Sequence, residues 1–269
     1  MQKYFVKAAM VGSLKGRPQA LRAVRRVVPV LAADQEHLIK NTLILHLYEL
    51  LATFWLPIVL ALGLTMARRR WYRRSVQLIT YAPHFISTVV VVGLIVVIVD
   101  PNSGVLNHVL GQFGIGPIDV LNNPDYFRHV YVWSGAWQTM GFSAIIYLAA
   151  PTSVSPELHE AAIVDGASRL RRVRHIDLPA IRPVAVILLI LNLGTMMTSG
   201  CEKVLLLQNT LNLPTSEVID TYVYKLGSAS QVPQFSYAAA IGLFRSVIGL
   251  VLLVLANTLA RKFAKSSLW

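Results

Sequence analysis

Long, nearly uncharged apolar runs separated by basic clusters are the feature that most restricts how this chain folds. Five such runs, residues 43–67, 75–99, 129–150, 183–200 and 235–260, approach or exceed the roughly 20 residues that a helix needs to cross a bilayer. An α-helix also satisfies its own backbone hydrogen bonds in lipid. Over the whole chain, 55% of residues are hydrophobic and 14% are charged. We therefore predict an all-α, polytopic membrane protein with about five transmembrane helices.

The basic residues are distributed unequally between the segments that connect these runs. Thirteen Lys and Arg residues follow the first, third and fifth runs, whereas Arg128, Lys203 and Lys225 are the three in the connections 100–128 and 201–234. Lys and Arg accumulate in the cytoplasmic loops of membrane proteins. We therefore expect loop 151–182 and the C-terminus on the cytoplasmic side of the cell membrane. Contact with anionic lipid headgroups also accounts for the net charge of +12, and we expect no nucleic-acid partner.

Residues 1–40 do not fit this arrangement. An odd number of spans places them outside, yet they contain eight Lys and Arg residues. Three interpretations stay open: a shortened member of a family with one more N-terminal helix, an amphipathic segment on the membrane surface, or a solvated basic tail. We expect residues 41–269 to form the transmembrane domain.

Several kinds of chemistry have no support in the sequence. The one cysteine, Cys201, has no partner for an internal disulfide, and no paired His or Cys spacing suggests a metal site. The chain contains no phosphate loop of the form GxxxxGK[ST], no HExxH and no nucleophile elbow. We expect neither an enzyme nor a cofactor in this chain, because any ATP-driven protein without a nucleotide loop has to obtain its ATPase from a partner.

The connection between the third and fourth runs, residues 156–183, carries the most informative pattern. Ser155 is a good N-cap, Pro156 suits the first helical turn, and Glu157 and Glu160 lie where the helix dipole favours negative charge. A short helix is therefore predicted to begin here and to be interrupted at Gly166. Considered alone, the loop is either a contact surface for another protein or a basic stop-transfer loop.

The residue types and spacing in this loop resemble the EAA signature of type I binding-protein-dependent ABC importer permeases. In the signature, the glycine follows the glutamate by six residues, and an isoleucine follows the glycine by ten. The resemblance implies the fold of that family and a coupling helix that inserts into a cleft of a separate ATPase subunit. It assigns ATPase coupling to Glu160, Ala161, Ala162, Asp165, Gly166, Ile176, Leu178 and Pro179.

Other stretches narrow this resemblance to carbohydrate permeases. Residues 73–87, 216–227 and 235–262 and the terminal SSLW are similar to permeases of the polysaccharide and oligosaccharide uptake group. The resemblance implies a second, homologous permease, two ATPase subunits that bind ATP and Mg²⁺, and an extracytoplasmic solute-binding protein. The alternatives are a permease for another polar solute and, from a different class, an ion-coupled secondary carrier or a membrane enzyme.

Charged and polar residues within the predicted spans are costly in lipid and are therefore candidates for function. Glu49 and Arg245 lie at similar depths, and either they pair with each other or each faces a wet cavity or a partner subunit. Sugars bind to aromatic rings and to amide groups. The candidate residues for a substrate path are Tyr81, Trp137, Gln138, Tyr147 and Asn192, and simple packing is the alternative for each of them.

Overall fold

The computed structural model describes residues 36–67, 69–152, 154–196, 200–229 and 235–264. Within these ranges the chain forms helices and turns and no strand, which confirms the predicted all-α fold. Residues 36–40 form the beginning of the first helix. The expectations for the rest of the basic N-terminal segment lie outside the described residues.

Twelve α-helices follow one another along the described residues. In chain order they are α1 (Glu36–Met66), α2 (Arg70–Tyr81), α3 (Thr88–Val99), α4 (Val105–Gln112), α5 (Pro124–Thr152), α6 (Pro156–Val164), α7 (Arg169–Arg172), α8 (Leu178–Thr195), α9 (Cys201–Leu207), α10 (Leu213–Ser216), α11 (Ile219–Tyr224) and α12 (Phe235–Ala264). A 3₁₀ turn, Ala82–Phe85, precedes α3, and π-helical turns occupy Val173–Asp177 and Lys225–Ala229.

Helices α1 and α5 form the scaffold of the described part of the chain, because they pack along each other more extensively than any other pair. Leu45 and Tyr131 belong to a buried cluster along this pair, and Ile58 and Tyr147 belong to a second cluster. The 31 residues of α1 extend over about 46 Å, which exceeds the hydrocarbon thickness of about 30 Å. The first span therefore begins earlier than predicted and projects beyond the lipid core.

The second predicted span, residues 75–99, is not one continuous helix. Helices α2 and α3 meet at an angle of 104° across the 3₁₀ turn. Pro83 lies in this turn, and its ring nitrogen has no hydrogen to donate to the helical ladder. The hydroxyl of Ser87 then caps α3 by accepting the N–H of Val90. The segment predicted as the second span therefore consists of a polar helix followed by an apolar one.

The helices that match the remaining predicted spans are α5, α8 and α12. Among the described residues, His37–Met66, Arg169–Thr195 and Ala238–Lys262 are long and apolar enough to cross a membrane, and the bent pair α2 and α3 adds a fourth only when it is counted as one span. Helix α5 has 29 residues, but polar residues lower its mean hydropathy. Helix α5 packs against both α1 and α8 and therefore lies beside these two candidate spans. The described residues therefore hold three candidate spans, or four with the bent pair, against the five predicted, and α5 lies where the remaining span was predicted.

The connection after α8 folds back onto the scaffold. Helix α9 packs against α3 and α5, α10 packs against α5, and α11 contacts α1 and α12. The side-chain amide of Asn41 in α1 donates to the carbonyl oxygen of Pro214 at 2.8 Å. Lys203, which the charge count assigned to an outer connection, is buried in this arrangement. This segment therefore supplies side chains to the interior.

Candidate functional site

The start of α6 follows the predicted pattern of a capped helix. The hydroxyl oxygen of Ser155 accepts the N–H of Glu157 at 3.3 Å, and Pro156 occupies the first turn. The fixed φ of proline suits this position, and its missing N–H would have no helical acceptor there. The beginning of α6 is therefore determined by its local sequence.

The end of α6 depends on Gly166. Its φ is +73°, a left-handed conformation that residues with a Cβ adopt only at a cost. The N–H of Gly166 bonds to the carbonyl of Ile163, and the N–H of Ala167 bonds to that of Ala162 at 2.8 Å. This pair of bonds is a Schellman motif, which satisfies two carbonyls at the helix end. The glycine of the signature thus has a backbone role that fixes where α6 stops.

Helix α6 presents an apolar surface that the described residues do not cover. Leu158 and Ile163 are each 56% exposed, and Val164 is 87% exposed. Leu170 in α7 is also exposed. The charged side chain of Glu160 lies on the same short helix. An exposed apolar patch with charged neighbours is typical of a protein contact surface.

Two side-chain contacts connect this loop to the long helices. The Nε2 atom of His159 lies 3.5 Å from Oδ1 of Asp177, a buried residue immediately before α8. The guanidinium of Arg169 donates to the carbonyl oxygen of Met66, the last residue of α1, at 3.2 Å. The loop is therefore attached to both α1 and α8.

The eight residues assigned to coupling fall into two groups. The first group lies in α6 and in the turn after it, and consists of Glu160, Ala161, Ala162, Asp165 and Gly166. The second group lies at the entry to α8, and consists of Ile176, Leu178 and Pro179. Leu178 and Pro179 border a cavity of about 680 Å³ between α1 and α8. The structure thus separates an exposed group from a group at the base of α8.

A second cavity, of about 550 Å³, is bordered by α1, α5, α8 and α9 together with Thr88 of α3 and Gly200. Gln138, Tyr147 and Asn192, three of the residues assigned to a substrate path, border it. Thr139 and Ser143 add hydroxyl groups to the same wall. Amide, hydroxyl and aromatic groups around one cavity suit a ligand that is rich in hydroxyls.

The other two residues assigned to the substrate path lie away from this cavity. Tyr81 is the last residue of α2, and Trp137 is 45% exposed on α5. Consecutive residues of a helix point about 100° apart, so the position of Gln138 turns Trp137 away from the cavity. The side-chain amide of Gln138 also donates to the carbonyl oxygen of Ile86 at 2.9 Å. This bond holds α5 against the break before α3.

The two intramembrane charges have separate partners. Arg245 of α12 forms an ion pair with Asp220 of α11. Glu49 of α1 accepts a hydrogen bond from the hydroxyl of Tyr131 at 3.4 Å and borders the cavity of about 550 Å³ together with Lys203. The hypothesis that Glu49 pairs with Arg245 is therefore wrong. The physical reason is that α11 packs against α12 and brings a carboxylate to Arg245.

With Glu202 beside it, Lys203 is one of two charged cavity residues that were not predicted from the sequence. It is 7% exposed, and its Nζ donates to the carbonyl oxygen of Tyr131 at 3.0 Å. Gly200 has a φ of +86°, and a Cβ at this position would overlap the Tyr131 hydroxyl. The available signal was the charged pair Glu202 and Lys203, which begins two residues after this glycine, beyond the end of an apolar run.

The described residues offer no metal site. Within the five described ranges, no group of three or more His, Cys, Asp or Glu side chains is arranged to hold a metal ion. The side chains around the cavity of about 550 Å³ carry amide, hydroxyl, aromatic and charged groups.

Comparisons with known proteins match this architecture. Residues 58–265 match the sequence profile of the family described as "Binding-protein-dependent transport system inner membrane component". The chain is 44% identical over 232 residues to the polygalacturonan/rhamnogalacturonan transport system permease protein YteP of Bacillus subtilis (strain 168), covering 86% of this chain and 72% of that protein. It is 40% identical over 236 residues to protein LplB of the same organism, covering 88% and 74%.

The fold is similar to that of a chain in the crystal structure of a bacterial ABC transporter involved in the import of the acidic polysaccharide alginate. The TM-score is 0.85 with 34% sequence identity, covering 97% of this chain and 96% of that chain. A bacterial alginate ABC transporter in complex with an alginate pentasaccharide-bound periplasmic protein gives a TM-score of 0.86 with 33% identity, covering 99% and 97%. The chain therefore belongs to the family of binding-protein-dependent transport system inner membrane components, and it is a membrane-spanning permease of an ABC transporter.

Proposed function

We propose that this permease translocates an oligosaccharide or polysaccharide that an extracytoplasmic binding protein delivers, and that a separate ATPase drives it through α6. One observation carries this proposal. The loop that contains α6 is attached to α1 and α8, and these helices also border the cavity of about 550 Å³. A movement of α6 would therefore be passed directly to the walls of the cavity.

The cargo is inferred from the cavity and from the relatives. Gln138, Ser143 and Asn192 supply hydrogen-bonding groups, and Tyr147 supplies an aromatic ring. One relative is named for polygalacturonan and rhamnogalacturonan, and the solved transporter is named for alginate. Oligosaccharides that contain uronic acids are therefore the first cargo to test. Amides and hydroxyls also bind other polar solutes, and this property favours a second candidate, a permease with the same mechanism and a different polar cargo.

The coupling step is inferred from the exposed surface of α6. Leu158, Ile163 and Val164 would enter an apolar cleft of the ATPase, with Glu160 at the edge of the contact. Two ATPase subunits would bind ATP and Mg²⁺, and closure of their dimer would displace α6. The movement would pass through His159 and Arg169 to α8 and α1.

The orientation and the remaining partners complete the proposal. Because basic residues flank α2, α6 and the end of α12, we place the coupling loop and the C-terminus on the cytoplasmic side. A second, homologous permease would pair with this chain in the membrane and close the translocation path. The binding protein would dock on the opposite side of the membrane.

The test is uptake into proteoliposomes that contain the complete transporter, with the binding protein outside and ATP with Mg²⁺ inside. We expect uptake of a labelled galacturonate oligosaccharide that stops when ATP is replaced by a non-hydrolysable analogue. ATP-dependent uptake of a different polar solute alone would favour the second candidate. Uptake by the purified chain without ATPase subunits would refute the proposed coupling.

A further inference from the structure

We propose that a third cavity, located where the coupling loop meets α1 and α2, binds a phosphate group. The position favours the headgroup of an anionic phospholipid as the source of this phosphate. The cavity has a volume of about 360 Å³ and shares no bordering residue with the cavities of about 550 and 680 Å³. Its walls include the end of α1, Arg73 of α2 and two arginines of α7.

The charges around this cavity fit a phosphate. Arg73, Arg169 and Arg172 contribute three guanidinium groups, and Asp177 contributes one carboxylate. The imidazole of His159 lies 3.5 Å from that carboxylate, so its negative charge already has a partner on one side. The walls therefore carry a net positive charge. Guanidinium groups are planar forks that match the oxygen atoms of a phosphate.

Arg172 supplies an independent indication of a missing acceptor. Its Nε atom is buried and has no hydrogen-bond partner among the described residues. A buried donor without an acceptor costs free energy, and such groups are rare in folded proteins. A phosphate oxygen in the cavity would supply that acceptor.

The surroundings of the cavity place it at the level of lipid headgroups. Trp71 and Tyr72 of α2 are 77% and 56% exposed, and α2 buries none of its side chains. Exposed Trp and Tyr beside arginines are typical of helices at the membrane interface. Basic pockets between helices at this depth bind anionic headgroups. A bound phosphate would connect α1, α2 and α7 and thereby fix the base of the coupling loop.

The experiment measures two phosphate sources separately on the purified full-length chain. Phosphatidylglycerol is added to chain held in phosphatidylcholine nanodiscs, and native mass spectrometry counts the phosphatidylglycerol molecules that stay bound. In nanodiscs of phosphatidylcholine alone, thermal unfolding is followed with inorganic phosphate or with chloride at equal ionic strength. The variants are Arg73→Gln and Arg172→Gln, from two different helices. Arg171→Gln is the matched control, because Arg171 is exposed and does not border the cavity.

We expect both cavity variants to weaken retention of phosphatidylglycerol roughly tenfold, as expected for loss of a charge-assisted bond, and the control to behave like the wild type. Stabilisation by inorganic phosphate that the cavity variants abolish, without specific retention of the lipid, would support a phosphate site with a soluble source. Binding of neither probe, or an equal loss in Arg171→Gln and Arg172→Gln, would overturn the proposal. Neither measurement depends on transport, so failure of the transport proposal is detected separately.

Discussion

The imidazole of His159 and the carboxylate of Asp177 join the coupling loop to α8, with 3.5 Å between Nε2 and Oδ1. His159 lies in α6, and Asp177 is buried at the last position before α8. Together with the bond from Arg169 to the end of α1, this contact links an exposed helix to two helices that border the cavity of about 550 Å³. The contact therefore lies between the proposed ATPase surface and the proposed substrate path.

Removal of this contact should reduce coupling without preventing ATPase binding. We expect His159→Ala to lower the number of substrate molecules transported per ATP hydrolysed, because α6 can then move without moving α8. His159→Gln, which keeps a hydrogen-bond donor, should restore part of the transport per ATP hydrolysed that His159→Ala loses. The control is His175→Ala, since His175 is exposed and its ring bonds to the backbone oxygen of Arg171. Equal ratios in His159→Ala and His175→Ala would argue against the role of the contact.

Substitution of Gly166 should destabilise the end of α6. Alanine at a φ of +73° costs about 1–2 kcal/mol, so Gly166→Ala should lower the stability of the loop and decrease ATP-driven uptake. Hydrogen exchange of the amides of Gly166 and Ala167 measures the local effect. Gly111→Ala is the control, because Gly111 lies within α4 and a Cβ there meets open space. Unchanged exchange in Gly166→Ala would contradict the assignment of the Schellman motif.

Substitutions of two polar residues and one aromatic residue test the proposed substrate path. Asn192→Ala should weaken uptake by roughly threefold to tenfold, the effect of one lost hydrogen bond, while the ATPase rate without substrate stays the same. Gln138→Ala should have a larger effect, since its amide also anchors α5 to Ile86. Trp137→Phe should transport like the wild type, because Trp137 does not border the cavity. An uptake defect in Trp137→Phe alone would show that the substrate path does not run through the cavity of about 550 Å³.

The separate partners of the intramembrane charges are testable by double-mutant cycles. Asp220→Asn and Arg245→Gln should show an interaction energy above about 1 kcal/mol in unfolding measurements, since the two side chains form an ion pair. The changes in unfolding free energy caused by Glu49→Gln and Arg245→Gln should be additive to within about 0.5 kcal/mol, as they are for independent sites. Coupling in the second cycle and additivity in the first would restore the rejected pairing of Glu49 with Arg245.

Features that depend on local chemistry were predictable from the sequence. The length of the apolar runs indicated the long helices, and Ser155 and Gly166 marked the two ends of α6. The size of the bend between α2 and α3 could not be predicted, because a proline inside an apolar run is compatible with either a kinked or a broken helix.

Features that depend on the return of residues 201–229 to the scaffold could not be read from sequence patterns. The bond from Lys203 to Tyr131 joins positions 72 residues apart, and the partner of Arg245 lies in a segment that reads as an external connection. Hydropathy reports whether a segment crosses the membrane, but it does not report which interior face a short helix covers. For the same reason, three of the five predicted path residues border the cavity and two do not.

The proposed binding of a separate ATPase to the exposed apolar surface of α6 is tested most directly by measuring ATPase association. The transporter is purified through a tag on this chain, and the ATP hydrolysis rate in the eluate is measured per mole of chain. Val164→Asp should reduce this rate by roughly tenfold or more, because it places a charge in an apolar contact. Val105→Asp, the same substitution at an exposed valine of α4, should retain the wild-type rate. Full ATPase activity with Val164→Asp would contradict the claim.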